Sequence, residues 1–154
     1  MKKILITGAS GLVGRAVISE LLSSEREYDI YAASSKVCNG DGNKVHYVLN
    51  NEIQSIFEKI NFDVLLHLAF PRNVKEEYWA DGFKFATDIL WMAKKYKVAR
   101  IINVSSQSIY GWKREKAAKE GDSVVLNSPY TTGKYFTELI TEKLFDKGYY
   151  SNIR

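Results

Sequence analysis

Cysteine is almost absent: Cys38 is the only one in 154 residues. That excludes an internal disulfide framework and fits a reducing compartment, so the expected location is cytoplasmic. Charge of one sign is equally thin, with 22 Lys and Arg against 18 Asp and Glu, a net +4 spread along the chain. So small and dispersed an excess describes a solvated surface and argues against nucleic acid as a partner. Long hydrophobic runs are missing, which excludes a membrane-spanning helix. Met1-Lys2-Lys3 and the apolar residues behind them do not make a signal peptide, because a glycine turn and Arg15 interrupt the run. Histidine is scarce too, and His67 has no cysteine or histidine partner at ligand spacing. It reads as a hydrogen-bonded structural residue, and no metal site is expected. The length suits one domain over residues 1–154, enough to bury about 68–70% of its unfolded surface.

What is present is organised around Thr7-Gly8-Ala9-Ser10-Gly11-Leu12-Val13-Gly14, between the apolar run Ile4-Leu5-Ile6 and an amphipathic segment carrying Val17, Ile18, Leu21 and Leu22. It reads as strand, tight turn, helix. Gly8 supplies unusual backbone angles, Gly11 admits a pyrophosphate against the main chain, and Gly14 lets helix and strand pack closely. Gly8, Ser10, Gly11, Leu12, Val13 and Gly14 are therefore the expected phosphate site, facing the free N–H groups at the helix start. Gly14-Arg15-Ala16 excludes a P-loop, and Leu12 excludes a nucleophile elbow.

Tyr28 to Ala33 has strand composition and ends in Ser34-Ser35-Lys36. A dinucleotide fold that uses NAD places an acidic residue there; small hydroxyls and a cation suit a 2′-phosphate, so the expected cofactor is NADP, with NAD as the alternative. The bland reading of the same three residues is a solvated loop. Asn39 to Asn43 is turn chemistry, leaving the second crossover without a helix. Val45 to Val48 reads as a third strand, Ile53, Ile56, Phe57 and Ile60 as a helix, and Asp63 to Ala69 as a buried fourth strand. This alternation predicts a three-layer α/β/α fold with a doubly wound parallel sheet.

From Glu76 to Lys97, Phe83, Ala86, Leu90 and Ala93 share a helical face. Tyr78, Trp79 and Trp91 read either as a stacking platform or as core and interface. A fifth strand, Ile101 to Ser105, ends in the hydroxyl cluster Ser105-Ser106-Gln107-Ser108, where open α/β sheets bind ligands. Residues 112–127 read as a surface loop over a site. The last helix opens at Ser128-Pro129, with Phe136, Leu139, Ile140 and Leu144 as its apolar face, and Tyr130 and Lys134 four apart on one side. Tyr149 to Arg154 begins a sixth strand.

These motifs together resemble the extended short-chain dehydrogenase/reductase family, NAD(P)-dependent epimerases, dehydratases and reductases acting mostly on nucleotide sugars. Thr7-Gly8-x-x-Gly11-x-x-Gly14 matches its cofactor turn, and His67-Leu68-Ala69, followed by Phe70, its adenine-side strand. Ser105-Ser106-x-x-Ile109-Tyr110-Gly111 and Tyr130-x-x-x-Lys134 match its catalytic signatures. The resemblance implies a Rossmann fold of strand order 3-2-1-4-5-6 and a nicotinamide dinucleotide bound also through Leu68, Ala69, Phe70, Tyr130 and Lys134. It further implies Ser106 as the hydroxyl that holds the reacting oxygen, Tyr130 as acid/base, and Lys134 beside it. A free phenol titrates at about 10, so that role calls for a cation next to it. The family's Asn in the long helix is replaced near Gly82-Phe83, and its aspartate after the third strand by Val48-Leu49-Asn50. Gln107-Ser108 stands where the sugar 4,6-dehydratases carry Asp-Glu, which disfavours a dehydratase.

The family runs to about twice this length, so a fragment without the substrate lobe is expected. The functional expectation is an epimerase or reductase of a nucleotide sugar. The alternative is a non-catalytic dinucleotide-binding module, either a truncated piece or a redox-sensing binder. Exposed helices carrying Trp79, Trp91 and Phe136 point to a homodimer.

Overall fold

Ile4, Leu5, Ile6 and Thr7 are buried in succession, so β1 (Lys2–Thr7) has no solvent face. A strand covered on both sides belongs in the middle of a parallel sheet. The computed structural model describes residues 1–37, 44–71 and 76–154; Cys38 and the turn expected over Asn39 to Asn43 lie outside them. Parallel to β1 run β2 (Tyr28–Ser34) on one side and β4 (Val64–His67) on the other. Flanking these are β3 (Val45–Leu49) beside β2, then β5 (Arg100–Val104) and β6 (Tyr150–Ile153) beyond β4. The order is β3-β2-β1-β4-β5-β6, the Rossmann arrangement expected.

Alternate side chains of each strand feed two cores. Ile4, Ile6, Ile30 and Ala32 pack with Ile18 of α1 (Leu12–Ser23). On the opposite face, Leu5, Leu65 and Ile101 meet α2 (Ile53–Lys59), Ile89, Leu90 and Ala93 of α3 (Glu76–Lys95), and Phe145 after α4 (Pro129–Leu144). The observed elements agree with the expected ones, but β4 ends at His67 although the apolar run continues through Leu68 and Ala69. There the chain turns: Leu68 N–H still donates to Thr7 O at 3.3 Å, whereas Ala69 N–H reaches the Thr7 hydroxyl at 3.4 Å. Residues 112–127 carry no helix or strand. No helix among the described residues is long and apolar enough to cross a membrane.

The helix α4 corrects one expectation. Ser128 caps it, with Pro129 at its first position. The face turned inward is Thr131, Lys134, Thr137, Glu138 and Thr141, all buried, while Phe136 and Leu139 are 36% and 42% exposed. Thr137 and Thr141 return their hydroxyls to Lys134 O and Thr137 O of their own helix, leaving methyl groups for packing.

His67 is fully buried, with Nδ1 2.8 Å from Thr7 Oγ1. Burial first, and the Lys134 charge second, push it down to about 3. An unfolded histidine titrates at about 6.5, so between those values the unfolded chain binds the extra proton. Stability should be full above about pH 6.5 and fall as pH drops toward 3. In thermal melts across that range, His67→Gln should flatten this dependence; an unchanged pH slope would show that His67 is not its source.

Candidate functional site

Gly8 closes β1 with φ +72, and a Cβ there would stand 2.9 Å from Ala69 N. Its carbonyl accepts from Gly11 N–H at 3.0 Å, and a Cβ on Gly14 would come within 2.5 Å of that oxygen. The helix α1 therefore starts directly against the turn. No side chain among the described residues caps it, which leaves its first N–H groups open, and Leu12 and Val13 beside them are exposed. The turn is tied to β2: Ala9 N–H donates to Ala33 O, and the buried Ser34 hydroxyl donates to Ser10 Oγ at 2.8 Å. Ser34 Oγ also accepts from Lys36 N–H at 3.1 Å.

A cleft of about 1080 Å³ opens over the ends of β1, β2 and β4. Gly8, Ser10 and Gly11 line one side, Ser34, Ser35 and Lys36 the β2 end, and Leu68, Ala69 and Phe70 the β4 end. Leu12, Val13 and Gly14 sit at the turn without lining it. Sequence reasoning weighed Tyr78 as part of a stacking platform, but placed neither Asn50 nor the α3 wall of Tyr78, Asp81, Gly82 and Phe85 as a whole in this cleft. The spacing of those four, three and four residues apart, puts them on one helical face, the only signal that could have found them. Asn50 Oδ1 is buried with no partner among the described residues. At Gly82 no larger residue fits without a shift, since a Cβ there would lie 2.6 Å from Pro71 Cδ.

Lys134 is 3% exposed, and its ammonium donates to Val104 O at 2.7 Å and Leu68 O at 3.3 Å, bridging the ends of β5 and β4. Burial pushes it down to about 8. The Phe70 ring lies 5.9 Å from its Nζ and 6.2 Å from the Tyr130 ring. Ser106 keeps its bonds local: its hydroxyl lies 2.6 Å from Ser108 Oγ and accepts from Ser108 N–H. No hydrogen bond among the described residues joins Ser106 to Tyr130 or Tyr130 to Lys134. The structure thus brings Tyr130 and Lys134 together around Phe70 and leaves Ser106 in its own turn.

The model of the NAD dependent epimerase/dehydratase family matches residues 4–153. The chain belongs to that family. Among curated members it is similar to UDP-glucose 4-epimerase 2 of Arabidopsis thaliana, 26% identical over 90% of this chain and 46% of that one. It is also similar to dTDP-glucose 4,6-dehydratase of Haemophilus influenzae, 27% identical over 87% and 48%. The chain spans about half the length of the curated relatives it matches. Among solved structures, UDP-glucuronic acid 4-epimerase from Bacillus cereus in complex with NAD superposes with a TM-score of 0.82 at 20% identity. The match covers 99% of this chain and 56% of that one, and shows a common fold.

In this epimerase/dehydratase turn, Gly14→Ala sets a Cβ against main-chain atoms that cannot yield, 2.5 Å from Gly8 O and 2.7 Å from Ala9 Cα. Overpacking of this kind costs about 1–3 kcal/mol. Gly121→Ala, with nothing within 4 Å, should stay within about 0.5 kcal/mol. Urea unfolding of both variants checks this, and equal midpoints would show that the turn relaxes freely.

Proposed function

We propose that residues 1–154 are the dinucleotide-binding domain of an NAD(P)-dependent epimerase or reductase of nucleotide sugars. The observation that carries this reading is the cleft itself, lined by the glycine turn before the uncapped start of α1 and by Leu68, Ala69 and Phe70 beyond β4, with the buried Lys134 ammonium bound to Leu68 O behind it. The residues fit a dinucleotide. Gly8 and Gly11 form a cradle that side chains would fill, open N–H groups stand behind it, and the unpartnered Asn50 Oδ1 offers an acceptor farther along the cleft. Curated relatives named for UDP-glucose and dTDP-glucose support a nucleotide-sugar substrate, and the NAD-bound neighbour supports the cofactor class. Ser106-Gln107-Ser108, lacking Asp-Glu, favours an epimerase or reductase over a dehydratase.

A nicotinamide held here would supply reversible hydride transfer with the sugar. The chain supplies positioning and the proton. Tyr130 takes the proton from the sugar hydroxyl and later gives it back. Ser106 holds that oxygen once its bond to Ser108 is exchanged for one to substrate. An ammonium has three donors, and Lys134 commits two to Leu68 O and Val104 O. The third is left for a ribose hydroxyl or the Tyr130 oxygen, and the positive charge favours a phenolate. Above about pH 8 that charge is lost, so function should decline there. The exposed Trp91 and Phe136 on α3 and α4 support a homodimer in this scheme.

Cofactor choice falls to Ser35 and Lys36, which are exposed, because the Ser34 hydroxyl is engaged with Ser10. A charge-assisted phosphate contact is worth roughly 1.5–3 kcal/mol, so NADPH should bind at least about tenfold tighter than NADH. Fluorescence titration of both decides, and Lys36→Glu should remove the preference. Equal affinities in the unaltered protein would refute the 2′-phosphate assignment.

In the full-length protein, Tyr130→Phe should abolish hydride transfer and leave dinucleotide affinity within about twofold, since it removes a proton carrier and little volume. Lys134→Met should impair both. Retained turnover in Tyr130→Phe would assign the proton to another group. Intact dinucleotide binding without turnover by the unaltered full-length protein would favour a binding module.

A further inference from the structure

Glycine is the worst helix former after proline, yet α3 and α4 each carry one inside, and both face the same dipeptide. A Cβ on Gly133 of α4 would stand 1.9 Å from Phe70 Cζ and 2.4 Å from Phe70 Cε1. On α3, a Cβ at Gly82 would lie 2.6 Å from Pro71 Cδ. Phe70 and Pro71 leave the end of β4 and occupy the hole that each helix opens. The Phe70 ring is held further by Phe83 of α3 at 5.8 Å, edge to face, and Phe83 in turn meets Phe136 of α4 at 4.6 Å. The same ring lies 6.2 Å from the Tyr130 ring and 5.9 Å from the Lys134 ammonium.

We propose that Phe70 is a positioning residue. Its ring, seated in the hole left by Gly133, holds Tyr130 and Lys134 at the ends of β4 and β5 and shields the ammonium from water. The inference rests on the reading that those two side chains serve a dinucleotide site. It adds that their placement is set from β4, by a residue that carries neither proton nor hydride.

The groups around Lys134 make its titration a usable reporter. His67 on β4 is held neutral by burial, and β5 presents the Val104 carbonyl. Glu138, one turn along α4, is committed to Arg154 after β6. Tyr130 precedes Lys134 on the same helix, and from α3 Tyr78 and Asp81 line the cleft beyond Phe70. Removal of the ring therefore changes solvation at Lys134 without removing a charge.

The test uses the full-length protein without cofactor. Lys134 is followed by the pH dependence of its side-chain NMR shifts, with NADH and NADPH affinities measured separately. Phe70→Ala should raise the Lys134 midpoint by about one pH unit as water enters and weaken dinucleotide binding about tenfold. Phe70→Leu should give a smaller change of the same sign and stands in if Phe70→Ala does not fold. Phe83→Ala deletes a ring from the same cluster that does not touch Lys134, and should leave the midpoint unmoved. Gly133→Ala should weaken binding, and Phe70→Ala/Gly133→Ala should bind more tightly than Gly133→Ala, because the added methyl then has room. An unchanged Lys134 midpoint in both Phe70 variants, or an equal shift in Phe83→Ala, would overturn the proposal. Failure of the unaltered protein to bind either dinucleotide would refute the proposed function instead, with the Lys134 titration still deciding the role of Phe70.

Discussion

Two main chains that nearly touch set the geometry of this molecule. Where β1 ends, Gly8 passes so close to Ala69 beyond β4 that no side chain fits between them. The contact is fixed from below by Thr7, whose hydroxyl lies 2.8 Å from His67 Nδ1 and whose carbonyl accepts from Leu68 N–H. Adjacent parallel strands whose connections leave in opposite directions open a crevice at their carboxyl ends. Here β1 leads toward β2 and β4 toward β5. The close approach at Gly8 keeps the floor of that crevice narrow, and the start of α1 is aimed at it because Gly14 can pack on Gly8 O. A larger residue at either position would move the helix and its open donors away from the cleft.

Farther along the sheet, the contact between α4 and the strands is polar rather than oily. Asn103 of β5 donates to Asn152 of β6 at 2.9 Å and to Thr137 of α4 at 3.4 Å. Glu138 is fully buried and accepts from the Arg154 guanidinium through both oxygens, at 2.7 to 3.2 Å. Such a pair gains little over a well-packed apolar contact, but loss of one partner is costly, because it strands a buried charge. The layer fixes the register of α4 on the sheet, and that register decides which residues of the helix reach the strand ends.

This layer marks where the sequence was legible. The runs Ile4-Leu5-Ile6 and Val64-Leu65-Leu66 are apolar at every position because both faces of the sheet are covered. The glycine turn was readable because its backbone demands leave few alternatives. The buried face of α4 was not, since threonines that bond their own helix count as polar in any hydrophobic period yet pack as methyl groups. Spacing predicted that Tyr130 and Lys134 share a side of the helix. It carried nothing about Ser106, whose hydroxyl bonds depend on the fold of a single turn, and on α3 it marked only that Tyr78, Asp81, Gly82 and Phe85 share a face, with no common chemistry to point to a cleft. Gly82 and Gly133 could be noticed in the sequence but not explained, because their reason is Phe70-Pro71, distant along the chain.

The site and the scaffold meet at a requirement of parallel sheets. Carbonyl oxygens at the ends of neighbouring strands point where no further strand residue can donate to them, and when buried they need a donor from elsewhere. Leu68 O and Val104 O receive theirs from Lys134. A hydroxyl could have satisfied one of them, but an ammonium satisfies both and still has a hydrogen and a charge left. Burial also decides which of two basic groups carries that charge. His67, wholly enclosed, is held neutral by burial and by the Lys134 charge, whereas Lys134, pushed only to about 8, remains protonated at neutral pH. The cation that completes the strand ends is thus the same one to which the proposed chemistry assigns a role, and it is held against Leu68, which lines the cleft, so the stability of the β4–β5 end and that chemistry cannot be altered independently.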